Sequence, residues 1–126
     1  MSNNSKKILV IEDEEPVRKV IVDALQDLNC EVLEAKNGQE GLDIALSEHP
    51  GLVLLDLIMP KLAGQQVCER LRSDTWGKNV HVIILTNLDS KTEKEELKDL
   101  SVDDYLVKSN YKLEEIMEKV KKILLI

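Results

Sequence analysis

The sequence predicts an α/β fold, a doubly wound, five-stranded parallel sheet with helices on both faces. Three observations predict it. Short runs of consecutive apolar residues, such as Ile8-Leu9-Val10-Ile11 and Leu52-Val53-Leu54-Leu55, read as strands buried on both faces, as in parallel sheets. Strand-like and helix-like stretches alternate five times, and with right-handed crossovers that pattern wraps helices around both sides of one sheet. The inner runs stop at polar residues, which places reactive side chains at the carboxyl edge of the sheet, where open α/β folds bind ligands. With five strands the expected order is 2-1-3-4-5, and its switch point lies between strands 1 and 3.

Lys6-Lys7 lead into the first strand, Ile8 to Ile11, which ends in Glu12-Asp13-Glu14-Glu15. Pro16 suits the first turn of a helix, where its missing N–H costs nothing. Val17, Val20, Ile21, Ala24, Leu25 and Leu28 mark that helix's apolar face. Glu31 to Ala35 is a short strand, and Asn37-Gly38 turns into a helix carrying Leu42, Ala45 and Leu46. His49-Pro50-Gly51 breaks it ahead of Leu52 to Leu55. Asp56 stands where that strand stops, Pro60 bars regular structure in the loop, and after Gly64 helical spacing resumes with Val67, Cys68 and Leu71. A polar loop, Ser73 to Asn79, precedes the strand Val80 to Leu85, which ends in Thr86-Asn87. Ser90 to Leu100 is a charged, weakly anchored helix with Leu97 and Leu100 as its apolar contacts. Asp104 to Val107 is the fifth strand, ending at Lys108, and Leu113, Ile116, Met117, Val120 and Leu124 form one stripe on a last helix. The 126 residues read as a single domain with its core over about 7–124 and a disordered tail at 1–6.

Composition excludes several classes. A net charge of −7 opposes a direct nucleic-acid surface or an anionic membrane face, since both need surplus Lys and Arg. Cys30 and Cys68 lie in apolar patterns and read as buried thiols rather than a disulfide framework. His49 and His81 have no neighbours at metal-ligand spacing and read as structural or surface residues. No apolar run approaches a membrane span and the N-terminus has no apolar signal core, so the expected location is cytoplasmic.

The predicted order gathers Glu12 and Asp13 from strand 1, Asp56 from strand 3, Thr86 from strand 4 and Lys108 from strand 5 around one crevice. Three carboxylates about 5 Å apart repel by about 3 kcal/mol per pair at an effective dielectric of 20, so cations belong among them. Lys108 is one, and a hard divalent ion such as Mg²⁺, with Mn²⁺ as an alternative, suits the oxygen ligands. A carboxylate beside such an ion and a lysine is a nucleophile toward phosphorus, and the Thr86 hydroxyl could bond the transferred group. Each residue also has a plain alternative. Asp56 and Thr86 could be helix caps, Glu12 and Asp13 could complement a helix dipole, and Lys108 could be a solvated charge.

The segments Ile11-Glu12-Asp13-Glu14, Leu55-Asp56-Leu57-Ile58-Met59-Pro60 with Gly64, Leu85-Thr86 and Asp104-Tyr105-Leu106-Val107-Lys108 resemble the response-regulator receiver domain of two-component signalling, over Lys7 to about Leu124. The resemblance implies the flavodoxin-like form of the fold and a chain that is not an enzyme beyond promoting its own phosphoryl transfer and autodephosphorylation. It implies that Asp56 is the phosphoacceptor, served by a sensor histidine kinase, a phosphotransfer protein or a small phosphodonor. It implies Mg²⁺ held by Glu12, Asp13, Asp56 and the backbone carbonyl of Ile58, with Lys108 pairing to the phosphoryl group. Thr86 and Tyr105 match the family's switch pair, and the output face would be the fourth helix, fifth strand and fifth helix. Implied partners are a downstream protein or fused output domain, and a second copy of the chain on phosphorylation.

The chain departs from the pattern at three places. Asn87 replaces a small residue and narrows access to Asp56. Ser109 replaces the usual proline after the lysine, so a trans bond or a looser loop is expected there. Leu100-Ser101 stands where Gly-Ala is common and alters docking of the preceding helix. Haloacid-dehalogenase-like phosphatases need a second Asp two residues beyond the nucleophile, where this chain has Ile58, and no Gly-x-Gly-x-x-Gly follows the first strand to bind a dinucleotide. The remaining alternative is a receiver-like interaction module that signals without phosphorylation.

Overall fold

The computed structural model describes residues 6–126, so most of the expected disordered tail lies outside the described residues. The strands are β1 (Lys7–Ile11), β2 (Glu31–Ala35), β3 (Leu52–Leu55), β4 (His81–Thr86) and β5 (Asp104–Val107). The helices are α1 (Glu15–Gln26), α2 (Gly38–Glu48), α3 (Gly64–Arg72), α4 (Lys91–Lys98) and α5 (Leu113–Leu124). All strand pairs are parallel and the order is β2-β1-β3-β4-β5, the doubly wound, flavodoxin-like arrangement expected from the sequence. Among the described residues no helix is long and apolar enough to cross a membrane.

Strand alternation divides the core in two. Leu9, Ile11, Val53, Leu55, Val82 and Ile84 face Leu42 and Ala45 of α2, Val67, Cys68 and Leu71 of α3, and Leu97 of α4. Ile8, Val10, Leu52, Leu54, Ile83, Leu85 and Leu106 face Ile21, Val22 and Leu25 of α1 and Ile116, Met117, Val120 and Leu124 of α5. Both cysteines are free and buried, and burial pushes the Cys68 thiol up to about 11.

The expected face of α1 needs one correction. Ile21, Val22 and Leu25 are its buried residues, whereas Val20 is 54% exposed. Each residue advances 100° around the helix, so Val22 meets the sheet and Val20 turns to the flank, beside Tyr111 and Leu113. On α2, Leu46 likewise stays at the surface, because Gly41 and Ala45 bring the helix close to β1. A Cβ at Gly41 would sit 2.4 Å from the Ile11 side chain.

Helix ends follow their cap residues. Asn37 accepts from the Glu40 N–H at 2.8 Å, and His49 ends α2 in the left-handed region at φ 49°. Helix α4 buries only Leu97, which fits its charged sequence. Its Ser90 cap accepts from the Glu93 N–H at 3.3 Å. The two histidines are accounted for: His49 stacks on Trp76 with ring centroids 4.5 Å apart, and His81 Nδ1 lies 3.1 Å from Asp103 Oδ1.

Candidate functional site

The site is built where β1, β3 and β5 stop. The Glu12 N–H donates to the Ala35 carbonyl at 3.0 Å and the Asp56 N–H to the Ile11 carbonyl at 3.1 Å, so sheet bonding continues into both acidic residues. Their side chains therefore emerge from a fixed edge and remain buried, at 2% and 6% exposed, while Asp13 next to Glu12 is exposed. Carboxylate oxygens of Glu12, Asp13 and Asp56 all lie within 4.8 Å of one another.

Lys108 reaches in from the end of β5. Its Nζ donates to Glu12 Oε1 and, at 3.2 Å, to Asp56 Oδ2. Burial alone would pull the ammonium down, but the Glu12 and Asp56 carboxylates outweigh it and hold its pKa above the ordinary value. Burial raises the Glu12 carboxyl despite its bonds to Lys108 and to the Glu14 N–H, the latter at 3.0 Å. One ammonium thus spans two carboxylates and leaves the cluster with an excess of negative charge.

The loop after β3 shapes the Asp56 side. Asp56 Oδ1 accepts from the Ile58 N–H at 3.2 Å, a local turn of the kind Asp favours. Gly64 closes that loop by donating to the Leu57 carbonyl at 3.1 Å. A Cβ at Gly64 would lie 2.4 Å from the Asp56 carbonyl oxygen, so only glycine lets α3 start this close to the acid. The Ile58 side chain is 57% exposed at the mouth.

Thr86 and Tyr105 sit to one side of the cluster. Thr86 is fully buried, and its Oγ1 accepts from the Leu88 N–H at 3.2 Å. Tyr105 Oη donates to the Leu88 carbonyl, and Lys94 Nζ stands 5.3 Å over its ring. Burial, then the Glu93 carboxylate, raises the Tyr105 phenol. Both hydroxyls are thus engaged with the backbone of one residue, Leu88. Asn87, beside it, is exposed.

The other two departures have local solutions. No peptide bond among the described residues is cis, and Lys108–Asn110 form a 3-10 turn. Ser101 takes a left-handed conformation at φ 55°. Its carbonyl and that of Leu100 accept from the Arg72 guanidinium at 3.2 and 2.7 Å.

Three participants are not singled out by the sequence reading. Leu88 acts through its backbone, and Arg72 has partners 28 and 29 residues away. Arg18 donates from Nη1 to the Glu12 carbonyl at 2.8 Å and from Nε to Glu34 Oε1 at 3.0 Å. For Arg18 the available hint was a cation on α1 facing an acidic residue of β2.

Comparison with known proteins agrees with this geometry. The family model of the response regulator receiver domain matches residues 8–121. A probable transcriptional regulator ycf27 of Cyanophora paradoxa is 41% identical over 108 residues, 86% of this chain and 44% of that protein. The response regulator MprA of Mycolicibacterium vanbaalenii is 36% identical over 118 residues, 94% of this chain and 50% of that protein. The chain therefore spans half or less of the length of these relatives. Among solved structures, the chemotaxis protein CheY4 of Vibrio cholerae superimposes with a TM-score of 0.85 at 26% identity, covering 93% of this chain and 97% of that one. The receiver domain of the Francisella response regulator 1452 gives 0.85 at 28% identity, covering 94% and 96%. The chain accordingly belongs to the response regulator receiver domains of two-component systems, a signalling rather than a catalytic family.

Proposed function

We propose that the chain is a cytoplasmic phosphoacceptor module, a single receiver domain over about 7–124, that takes a phosphoryl group on Asp56 and switches an output face made by α4, β5 and α5. The observation that carries this reading is the Lys108 ammonium bonded to both the Glu12 and Asp56 carboxylates, in a cluster still rich in negative charge.

The donor set fits a hard divalent cation. Its side chains are all carboxylates, those of Glu12, Asp13 and Asp56, with oxygens within 4.8 Å of one another, and burial disfavours the charged Glu12 that such an ion would stabilise. Glu12, Asp13, Asp56 and the Ile58 carbonyl would hold Mg²⁺, with Mn²⁺ as an alternative. When bound, the ion supplies positive charge to neutralise phosphoryl oxygens.

The chain's own groups do the rest. An Asp56 carboxylate oxygen attacks phosphorus and forms the new O–P bond. The bond broken is N–P in a phosphohistidine of a sensor kinase or phosphotransfer protein, or O–P in an acyl phosphate. The leaving group departs with the electron pair, and an imidazole leaving group takes its proton from solvent. Lys108 keeps its proton throughout and moves its hydrogen bond from the Asp56 carboxylate to the phosphoryl oxygens. Hydrolysis of the resulting acyl phosphate by water returns the resting state.

The phosphoryl group carries roughly −1.5 to −2, a net gain of about one negative charge over the Asp56 carboxylate it masks, and it attracts the Thr86 hydroxyl. Turning toward it costs Thr86 its bond from the Leu88 N–H, and Leu88 also holds Tyr105 through its carbonyl. Phosphorylation, the β4–α4 loop and the Tyr105 ring are thereby coupled through one residue. Downstream, this surface would engage a protein partner, a fused output domain or a second copy of the chain.

Intact mass after incubation with Mg²⁺ and acetyl phosphate or phosphoramidate tests the reading. The parent should gain one phosphoryl group, with none in Asp56→Asn and none in the parent with excess chelator. No gain from these donors or from a matched kinase would overturn it in favour of a module that signals without phosphorylation.

A further inference from the structure

We propose that Arg18 is a positioning residue for the acidic cluster: it sets the direction of Asp13 and thereby the affinity of the site for a divalent cation. This deepens the function proposed above and rests on that reading.

The carbonyl that Arg18 holds belongs to the peptide unit joining Glu12 to Asp13. The N–H of Glu12 is tied to the Ala35 carbonyl, so Glu12 is held on both sides, by β2 and by α1. With that peptide plane fixed, little freedom remains in the path of the chain into Asp13. Arg18 is itself held, because its Nε is bonded to Glu34 Oε1, and the guanidinium side chain is only 14% exposed. A planar fork is what lets one side chain serve a carbonyl of one strand end and a carboxylate of the neighbouring strand. The three segments it joins are the end of β1, the body of α1 and β2.

The charge of Arg18 works against this role, which makes the sign of the effect informative. A cation near the acidic cluster repels a divalent ion, so removing it on electrostatic grounds alone would tighten binding. The Glu34 carboxylate, 3.0 Å away, offsets most of that repulsion. What remains is the geometric effect, and outer partners that orient ligands are worth about 10–100-fold in metal affinity. Loss of Arg18 should therefore weaken binding.

Calorimetric titration of the whole protein with Mg²⁺ at constant ionic strength tests this, with thermal unfolding measured alongside. Arg18→Ala should weaken Mg²⁺ about 10-fold. Arg18→Lys keeps the charge but loses the planar fork with which Arg18 serves its two partners, and should weaken it to a lesser extent. Glu34→Gln, at an exposed position, keeps an acceptor for Arg18 Nε but removes the charge, so it reads the electrostatic contribution alone and should weaken Mg²⁺ by less than Arg18→Ala does, without lowering the unfolding temperature. Unchanged or tighter binding in both Arg18 variants would overturn the positioning role while leaving the phosphoacceptor reading intact. Should Arg18→Ala fail to fold, Arg18→Lys, which keeps the charge, decides the matter alone. No Mg²⁺ binding by the parent would overturn this inference together with the metal-dependent reading on which it rests.

Discussion

Lys108 has two carboxylate partners and a side chain only 15% exposed. Its removal leaves Glu12 and Asp56 facing each other with no cation between them. Stranding buried charge typically costs about 3–5 kcal/mol, though Asp13 at the open side of this site lets water in and favours the lower end. Lys108→Met should lose about 3 kcal/mol in urea unfolding without divalent ions. Millimolar Mg²⁺ should recover part of that loss, because the ion takes over neutralisation of the carboxylates. A variant as stable as the parent in chelator would show that the Lys108 pair contributes nothing to the fold. The pH dependence has a definite sign. The folded pKa of Lys108 lies above its unfolded value, so its stabilisation is complete below the unfolded value and is lost as pH rises through the folded one. The alkaline limb of the parent's stability curve should therefore be steeper than that of Lys108→Met. At this scale the sequence was informative for a physical reason. Glu12, Asp56, Thr86 and Lys108 are polar residues at the ends of apolar runs, and a sheet edge is where such residues meet. Arg18 and Leu88 left no such mark, since one works on a carbonyl and the other is a backbone group.

Helix α4 is held differently at its two ends. Near its start, the loop carrying Leu88 bonds to Thr86 and Tyr105, the proposed switch pair. At its far end, Arg72 donates to four backbone carbonyls: Leu100 at 2.7 Å, Ser101 at 3.2 Å, Gly77 at 2.7 Å and Val80 at 2.8 Å. Arg72 thus ties the end of α4 to the loop between α3 and β4, beyond reach of the acidic cluster. Hydrogen bonds to a charged donor contribute about 1.5–3 kcal/mol each in isolation, and water can replace some of them here. Arg72→Ala should therefore cost about 3 kcal/mol in urea unfolding. It should also raise amide hydrogen exchange at 98–103 more than at 87–92. Arg72→Lys should recover little, because an ammonium cannot reproduce the fork. Equal exchange at both ends of α4 in the variant would sink the asymmetry. The weak anchoring of α4 was legible in its charged sequence, with Leu97 as its one deep contact. The clamp was not, because carbonyls have no residue type. The covered face of α1 departs from the one its sequence predicts for a related reason. Val20 and Val22 are chemically equal, and only the sheet beneath the helix decides which of them it covers.

Across the whole molecule, the sheet separates two edges with different chemistry. The carboxyl edge carries the acids, Lys108 and the Leu88 connection. The amino edge carries the His49–Trp76 stack, with the ring planes 10° from parallel, and the bond from Gly51 N–H to the Lys7 carbonyl at 2.8 Å. Gly51, which shares a cavity with Trp76, and Asp56 are five residues apart along β3, about 16 Å of strand. Trp76 is the only tryptophan in the chain. An ion at the acids cannot touch the indole over that distance, and parallel strands buried on both faces transmit little displacement because the interior is close-packed. Saturating Mg²⁺ at constant ionic strength should therefore leave Trp76 emission unchanged, while urea should shift it to the red in step with loss of helix signal. The result bears on how the proposed switch would be organised. Silence at Trp76 means that ion binding is not felt at the amino edge beside the indole. A shift at Trp76 would mean that it crosses the sheet through β3 and β4, and the Arg72 clamp would then be a link between the edges rather than a boundary.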